Sequence, residues 1–553
     1  MYQYDGLDQA LVEQRVAEFR DQTRRYLAGQ LSEDEFRSLR LRNGLYIQRH
    51  APMFRISIPY GLFSSQQLRK LGEIARKYDR GYAHFTTRTN LQLNWPKLPE
   101  VPDILAELAS VQMHAIQTSG NSVRNVTADH MAGIAKDEVD DPRPYCEILR
   151  QWAALHPEFT YLPRKFKFAV TGSDFDRAAS LVHDVALHLK RDAQGNIGFQ
   201  VFVGGGLGRQ PIIAQLIREF LPLPDLLGYC EAILRVYNRY GRRDNINKAR
   251  IKVLVKALGP ERFREEVEKE FEASRASAPV LDAAEVDRVR AFFAPPPYEG
   301  DLTETDAAAG RELQFQAWYR YNTREHKIAG YRAVYVALKT HGQNPGDITS
   351  EQMKAVADLA DRVSFGLIRA THNQNLMLAD VRQSDLYEVW QQLRELNLAV
   401  PNIGTLTDLI ACPGLDLCSL ANAETFRVVR QIQARFNDLD YLYDLGNIEI
   451  KMSGCMNGCG HHHVGHIGIL GVDKHGESWY QLTLGGSVNG HRTALGEVIG
   501  PSIPLSEVAL TIERIVETYR SIREDGEEFI DTYRRVGIGP FKEGVYASHP
   551  AAA

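Results

Sequence analysis

Four cysteines in two close pairs are the residues whose type and spacing most clearly predict chemistry. Cys412 and Cys418 lie in A-C-P-G-L-D-L-C, and Cys455 and Cys459 lie in S-G-C-M-N-G-C-G. Two pairs of thiols are typical of a metal site. Zinc sites usually take two ligands from one tight C-x2-C or C-x4-C turn, whereas C-x5-C followed by C-x3-C suits a cubane iron–sulfur cluster. The spacing favours a cluster, with zinc and ordinary buried or disulfide-bonded cysteines as the alternatives.

A second group of residues predicts an anion site. Arg55 lies in M-F-R-I-S-I-P, Arg124 lies in S-V-R-N, and Lys165 and Lys167 lie in Y-L-P-R-K-F-K. An alternating strand would put the two lysines on one face and Phe166 on the other. Two ammonium groups on one face of a buried strand repel each other unless an anion lies between them. The alternative is a strand whose lysines face solvent.

The cysteine pattern, with its second pair in G-C-M-N-G-C-G, resembles that of the sirohaem and 4Fe–4S reductases of sulfite and nitrite. The resemblance extends from about Leu45 to the C-terminal region and is greatest to the haemoprotein (beta) subunits of assimilatory sulfite reductases. It implies two cofactors, a sirohaem and a 4Fe–4S cluster. It also implies that Cys412, Cys418, Cys455 and Cys459 ligate the cluster, with Cys459 axial to the sirohaem iron as well.

The resemblance also implies roles for the basic residues. Arg55, Arg124, Lys165 and Lys167 match the four cations that surround the substrate anion in this family. Sirohaem is a polycarboxylate, and the residues expected to serve it are His84, Thr86, Arg88, Gln92, Arg164, Asn247, Arg250 and Asn457. Relatives often have Arg at the position of His84. A histidine, unlike an arginine, can lose its charge near neutral pH.

A glycine run at Gly204, Gly205 and Gly206 follows a predicted strand. It is not a G-x-G-x-x-G dinucleotide motif, because Arg209 stands at the last position. We interpret the run as a backbone cradle for cofactor carboxylates. Since no flavin or nicotinamide motif occurs elsewhere, we expect electrons from a separate protein, either ferredoxin or a flavoprotein reductase subunit.

Internal repeats predict a duplicated α+β fold. At a constant offset of 285, Ser65 corresponds to Ser350, Gly81 to Gly366, and Asn90-Leu91 to Asn375-Leu376. We therefore expect two pseudo-two-fold-related halves, each with a ferredoxin-like half-domain and a larger α/β domain, around a shared cofactor pocket. The predicted units are a helical extension (1–50), the first half-domain (51–118), the first α/β domain (119–271), a surface linker (272–325), the second half-domain (326–400) and the second α/β domain (401–553).

Local patterns predict the elements of the first half-domain. Met53–Pro59 and Tyr82–Leu93 alternate as strands do, and Ser65–Tyr78 has helical periodicity with Ser65 as its N-cap. A second helix is expected near Pro102–Gln112.

Composition excludes several classes of function. The chain of 553 residues has a formal net charge of −5, which gives no reason to expect nucleic acid as a partner. It has no long apolar run that would span a membrane, and its N-terminal residues do not resemble a signal peptide. Six cysteines, four of them in a metal motif, indicate a reducing compartment, and we expect the cytoplasm.

The implied reaction is the six-electron reduction of sulfite to sulfide, as in cysteine supply. Nitrite reduction to ammonia on the same cofactors is the alternative. Nitrite-type relatives have Trp-Asn where this chain has Phe166-Lys167, and the additional lysine favours the dianion. A non-catalytic, cluster-binding redox sensor would need the cysteines but not the paired lysines.

Overall fold

The computed structural model describes residues 1–154, 156–488 and 492–546. Two helices open the chain, and each begins at a capping box, formed by Asp5 with Asp8 and by Ser32 with Glu35. Within the described ranges, no helix has both the length and the apolar character needed to cross a bilayer. The N-terminal elements are α1 (Gly6–Leu27), α2 (Glu33–Arg42) and β1 (Leu45–Ile47).

Two half-domains of the same design follow at the predicted offset. The first comprises β2 (Pro52–Ile56), β3 (Leu62–Ser64), α3 (Ser65–Tyr78), β4 (Tyr82–Phe85), β5 (Leu91–Leu93) and α4 (Val101–Ala109). The second comprises β12 (Tyr331–Val336), β13 (Asp347–Thr349), α11 (Ser350–Val363), β14 (Leu367–Ala370), β15 (Leu376–Arg382) and α12 (Leu386–Glu395). The duplicated α+β architecture expected from the sequence is confirmed.

The two half-domains are interlocked by exchanged strands. Strand β13 of the second half pairs with β4, and β3 of the first half pairs with β14. The five-stranded sheets therefore run β1-β2-β5-β4-β13 and β11-β12-β15-β14-β3, where β11 is Thr323–Glu325. Reciprocal backbone hydrogen bonds, Ser65 N to Gly366 O and Ser350 N to Gly81 O, repeat this symmetry atom by atom. One apolar core fills the space between both sheets and α3 and α11.

Each larger domain is a five- or six-stranded mixed sheet covered by helices. The first contains β6 (Thr127–Ala128), α5 (Arg143–Ala154), β7 (Phe168–Thr171), β8 (Val185–Arg191), β9 (Ile197–Val203), β10 (Gln215–Pro222), α6 (Leu226–Tyr240), α7 (Ile251–Leu258) and α8 (Pro260–Ser274), in the strand order β10-β9-β8-β7-β6. The second contains β16 (Ile410–Ala411), α13 (Phe426–Arg435), α14 (Leu439–Leu445), β17 (Ile450–Ser453), β18 (Ile467–Lys474), β19 (Glu477–Leu484), β20 (Glu497–Val498), β21 (Ile503–Pro504), α15 (Leu505–Ile522), α16 (Phe529–Val536) and α17 (Gly539–Tyr546). Its strand order is β16-β17-β18-β19-β20, with β21 on β19.

Several local predictions were wrong. The N-cap of α3 is Ser64, whose hydroxyl accepts a hydrogen bond from the Gln67 amide, and Ser65 is already helical. The expected strand 82–93 is two strands, because the chain reverses between Phe85 and Leu91. The segment 272–325, predicted as a linker between the halves, contains α9 (Ala283–Ala291), α10 (Leu313–Asn322) and β11 (Thr323–Glu325).

Candidate active site

A basic cavity lies where the two halves meet. It encloses about 960 Å³, counting its mouth open to solvent. Six of the described residues that line it carry cationic side chains and none carries a carboxylate; the cations are Arg55, Arg88, Arg124, Lys165, Lys167 and Arg250. Polar side chains and residues of the second half, among them His84, Thr86, Gln92, Gln374, Cys412, Asn457 and Cys459, complete the lining.

Arg55 and Arg124 are held by neutral acceptors. Arg55 lies in β2 opposite Gln92 in β5, and its Nε and Nη2 donate to Gln92 Oε1 at 3.0 and 2.7 Å. The carbonyl of Thr118 accepts from Arg55 Nη1 at 3.3 Å and from Arg124 Nη1 at 2.8 Å. Since these bonds fix the guanidinium groups without neutralising them, both cations remain available to an anion.

Lys165 and Lys167 flank Phe166, as the sequence predicted. The segment is extended but forms only an isolated bridge, Val123 with Phe166, so the expected strand is a single pairing ahead of β7. Phe166 is buried in the apolar core of the first α/β domain, and both lysines line the cavity. Burial first, and then the neighbouring Arg124 and Arg250, lower the pKa of Lys165 to about 7. Burial, Arg88 and Lys165 hold the pKa of Lys167 well below its usual range.

One guanidinium nitrogen of Arg88 is buried and unpaired among the described residues. Its Nη2 donates to the Asn125 carbonyl at 2.5 Å, whereas its buried Nη1 has no hydrogen-bond partner among the described residues. Burial is the main cause that lowers its pKa to about 9, with further contributions from neighbouring arginines. A buried, unpaired guanidinium nitrogen is costly unless a ligand accepts from it.

Arg250 is anchored by Asp184, a carboxylate that does not itself line the cavity. Its Nε and Nη2 donate to Asp184 Oδ1 at 3.0 and 2.7 Å, and Asp184 is completely buried. Asp184 was not predicted from the sequence, because nothing in the motif around it distinguishes it from an ordinary strand-end aspartate.

His84 connects the two halves at the cavity wall. Its Nδ1 lies 2.9 Å from Asp347 Oδ1 of the exchanged strand β13, and its Nε2 lies 3.2 Å from Gln374 Nε2. Thr86 closes the turn between β4 and β5, where its hydroxyl accepts from the amide of Asn90 at 3.2 Å. The structure therefore brings both residues to the cavity, as the sequence suggested.

The four clustered cysteines lie on loops of the second α/β domain. All are free thiols; Cys455 is buried, Cys412 and Cys418 are half-buried, and Cys459 is exposed. Burial raises the pKa of Cys412, Cys418 and Cys455, so metal binding there would release protons. No three metal-ligating side chains among the described residues converge on a single ion, but each iron of a cubane requires only one thiolate.

Close packing explains the glycines around the second cysteine pair. A Cβ on Gly460 would lie 1.7 Å from the carbonyl oxygen of Met452, and Gly458 has a φ of +68°. The turn is also tied to the first half, because the Thr87 hydroxyl donates to the Cys459 carbonyl at 2.8 Å. Of the four cysteines, Cys412 and Cys459 lie at the edge of the basic cavity.

Five of the expected cofactor residues do not line the cavity. Asn247 is exposed on a loop, and Arg164 is half-buried. Gly204, Gly205 and Gly206 pack against protein instead: a Cβ on Gly205 would lie 2.4 Å from the carbonyl oxygens of His183 and Leu181. The carbonyl of Gly206 and the following loop accept from Lys252 Nζ, and it is Leu207 that reaches the cavity.

These features fit an anionic tetrapyrrole and a cluster. Six basic side chains with no lining carboxylate, together with the unpaired Arg88 Nη1, favour the binding of a polyanion. The thiols at the cavity edge suit an adjacent iron–sulfur cluster.

Known proteins show the same organisation. The model of the nitrite and sulphite reductase 4Fe-4S domain matches residues 119–274 and 404–550, and that of the nitrite/sulfite reductase ferredoxin-like half domain matches residues 46–111 and 329–396. The chain is 31% identical to sulfite reductase (ferredoxin) 2 of Mycolicibacterium paratuberculosis, over 86% of this chain and 81% of that protein. It is 27% identical to the chloroplastic ferredoxin–nitrite reductase of Arabidopsis thaliana, over 86% and 78% of the two chains.

A solved structure has the same overall fold as this chain. The structure of the Mycobacterium tuberculosis NirA protein matches with a TM-score of 0.76 and 27% identity, over 92% of both chains. The family's cofactors, a sirohaem and a 4Fe–4S cluster, are accordingly those of this protein. The chain belongs to the family of sulfite and nitrite reductases with duplicated ferredoxin-like and 4Fe–4S domains.

Proposed function

We propose that this protein reduces sulfite to sulfide with six electrons. The observation that carries the proposal is the pair of half-buried lysines, Lys165 and Lys167, which face one cavity that no described carboxylate lines. A dianion gains more than a monoanion from each such cation. Relatives named for both substrates match this chain, so their names do not decide between sulfite and nitrite.

We assign the cofactors to the residues around the cavity. Cys412, Cys418, Cys455 and Cys459 would hold the cluster, and Arg88, Arg250, His84 and Asn457 would contact the tetrapyrrole. Together the bound cofactors supply electrons and an iron site for the substrate.

The chain's own residues bind the anion and move protons. Arg55 and Arg124 present fixed guanidinium donors to the substrate oxygens, which favours the bound orientation. Lys165 and Lys167 add positive charge, and their lowered pKa values suit ammonium groups that donate a proton to a departing oxygen and regain one from solvent.

The donor surface lies over the cysteine loops. Leu420 is 66% exposed, Ile47 46% and Met456 38%, and the Ser419 hydroxyl donates to Gln48 Oε1 at 2.8 Å, which joins the two loops. We propose that a ferredoxin docks on this apolar patch, because the relatives' names specify ferredoxin and because Leu420 and Met456 lie within two residues of Cys418 and Cys455. Free thiols that must stay reduced also favour a cytoplasmic location.

Steady-state kinetics of the purified holoprotein test the proposal, with reduced viologen as electron donor and sulfite or nitrite as substrate. We expect a higher kcat/KM for sulfite. A preference for nitrite would transfer the assignment to nitrite reduction, and protein fully loaded with cofactors that reduces neither anion would refute catalysis.

A further inference from the structure

Asp184 lies beside Lys167 on the cavity side of the sheet. Strands β7 and β8 are parallel with Phe168 opposite Val185, so the preceding residues, Lys167 and Asp184, are also neighbours. The backbone confirms the register, because Val185 N donates to the Lys167 carbonyl at 3.1 Å. Phe168 and Val185 face the apolar core, and successive side chains alternate along a strand. Lys167 and Asp184 therefore share the opposite face.

The Asp184 carboxylate is only half satisfied. Oδ1 accepts both hydrogen bonds from Arg250, whereas Oδ2 is buried and has no hydrogen-bond partner among the described residues. Leaving a buried carboxylate oxygen unpaired is unfavourable, so a donor is expected for it in the loaded protein. The Lys167 ammonium is the neighbouring donor that the strand register places on the same face.

We propose that Asp184 is a positioning residue for the reaction: Oδ1 fixes Arg250, and Oδ2 accepts a hydrogen bond from the Lys167 ammonium and aims it at the bound anion. This assignment rests on the proposed anion-reducing function. No electron passes through Asp184. The ammonium of Lys167 gives its proton to the departing oxygen and, as a neutral amine, accepts the next proton from solvent.

The surroundings of Lys167 explain why a carboxylate is needed there. The groups that act on it are Arg88, Lys165 and Arg250, together with the imidazoles of His183 and His461. Burial and the three cations lower the pKa of Lys167, and Asp184 is the one group among its main influences that raises it. Without Asp184, the amine would be neutral over more of the working pH range.

The test compares wild-type holoprotein with Asp184→Asn and Asp184→Glu. Competitive acetylation with acetic anhydride, read by peptide mass spectrometry across pH, reports the protonation of Lys167 without requiring turnover. We expect the midpoint for Lys167 to move to lower pH in Asp184→Asn and to return toward the wild-type value in Asp184→Glu. Viologen-driven kcat should fall about 10- to 100-fold in Asp184→Asn.

Cofactor absorbance and iron content show whether each variant is loaded. An unchanged Lys167 midpoint in loaded Asp184→Asn would overturn the proposal. If that variant fails to load, a crystal structure of the wild-type holoprotein decides: Lys167 Nζ should lie within hydrogen-bond distance of Asp184 Oδ2, about 3 Å, and a separation beyond about 4 Å would refute the assignment. Wild-type protein that reduces neither anion would instead refute the proposed function, whatever the labelling shows.

Discussion

Replacing Lys167 with methionine tests the selectivity argument most directly. Methionine keeps an unbranched side chain of similar length but removes the charge, so the cavity retains its shape. Lys167 is half-buried in the cavity wall, and Arg88, Lys165 and Arg250 lie around it. We expect the variant to lose activity toward sulfite more than toward nitrite, because a dianion loses twice the Coulomb energy that a monoanion loses.

The size of the effect follows from Coulomb's law. Two unit charges about 5 Å apart at an effective dielectric constant of about 20 interact by about 3 kcal/mol. Sulfite would therefore lose about 3 kcal/mol more than nitrite. Protonating Lys167 costs part of this energy, because burial and neighbouring cations lower the pKa of the lysine. We expect a net difference of about 2 kcal/mol, or about 30-fold in the ratio of the two kcat/KM values.

The assay measures kcat/KM for both anions in wild type, Lys167→Met and Lys248→Met. Lys248 lies on the exposed loop next to Asn247, so its replacement removes one positive charge outside the cavity. The control should leave the sulfite-to-nitrite ratio within about twofold of wild type, since exposed charges are screened. An equal loss for both anions in loaded Lys167→Met would show that this lysine does not set the preference.

Three further changes probe other parts of the site. Leu420→Glu should weaken ferredoxin-driven turnover at least tenfold and leave viologen-driven turnover unchanged, because it alters only the exposed patch. A ferredoxin-driven rate equal to that of the wild type would refute docking there. Gly460→Ala should abolish cluster binding, measured as iron content, because its Cβ would lie 1.7 Å from the Met452 carbonyl oxygen; full loading would show that the loop tolerates the change. Lys165 has its pKa lowered to about 7, chiefly by burial, so it loses its charge as pH rises and KM for the anion should increase. Lys165→Arg keeps the charge and should flatten that rise; a pH profile identical to wild type would exclude Lys165 as its source.

The repeat and the cysteine motif could be predicted because both are local in sequence. The offset of 285 reproduces α3 and α11 residue for residue, and the alternation around Phe166 correctly put Lys165 and Lys167 on one face. Patterns of this kind depend on side-chain chemistry and strand periodicity, which a single sequence contains.

The other features of the fold and site depend on contacts between residues far apart in the chain. The exchange of β3 and β13 between half-domains is a pairing of strands far apart in the chain, and short strands with little alternation do not reveal their partners. Asp184 and Thr87 become meaningful only through contacts with Arg250 and Cys459. The prediction that the glycine run cradles a cofactor also lacked these long-range contacts. Close packing against neighbouring carbonyl oxygens requires glycine as strongly as a bound ligand would.

The duplication produced two clefts, and their charges explain why one suits a polyanion. The second cleft, about 1970 Å³ with its open mouth, lies between the first α/β domain and the second half, and it is lined by six lysines or arginines and seven carboxylates among the described residues. At the repeat offset, Arg88 corresponds to Asn373, which lines this second cleft.

Strand β17 (Ile450–Ser453) is the counterpart of β7 (Phe168–Thr171), so Glu449, directly before β17, occupies the place that Lys167 has before β7. The Glu449 carboxylate pairs with Lys451 at 2.7 Å. Those replacements remove cations and add an anion, so a polycarboxylate would be repelled where the first cleft attracts it. The charge differences at these two equivalent positions, with the other carboxylates of the second cleft, favour an anion site in the first cleft.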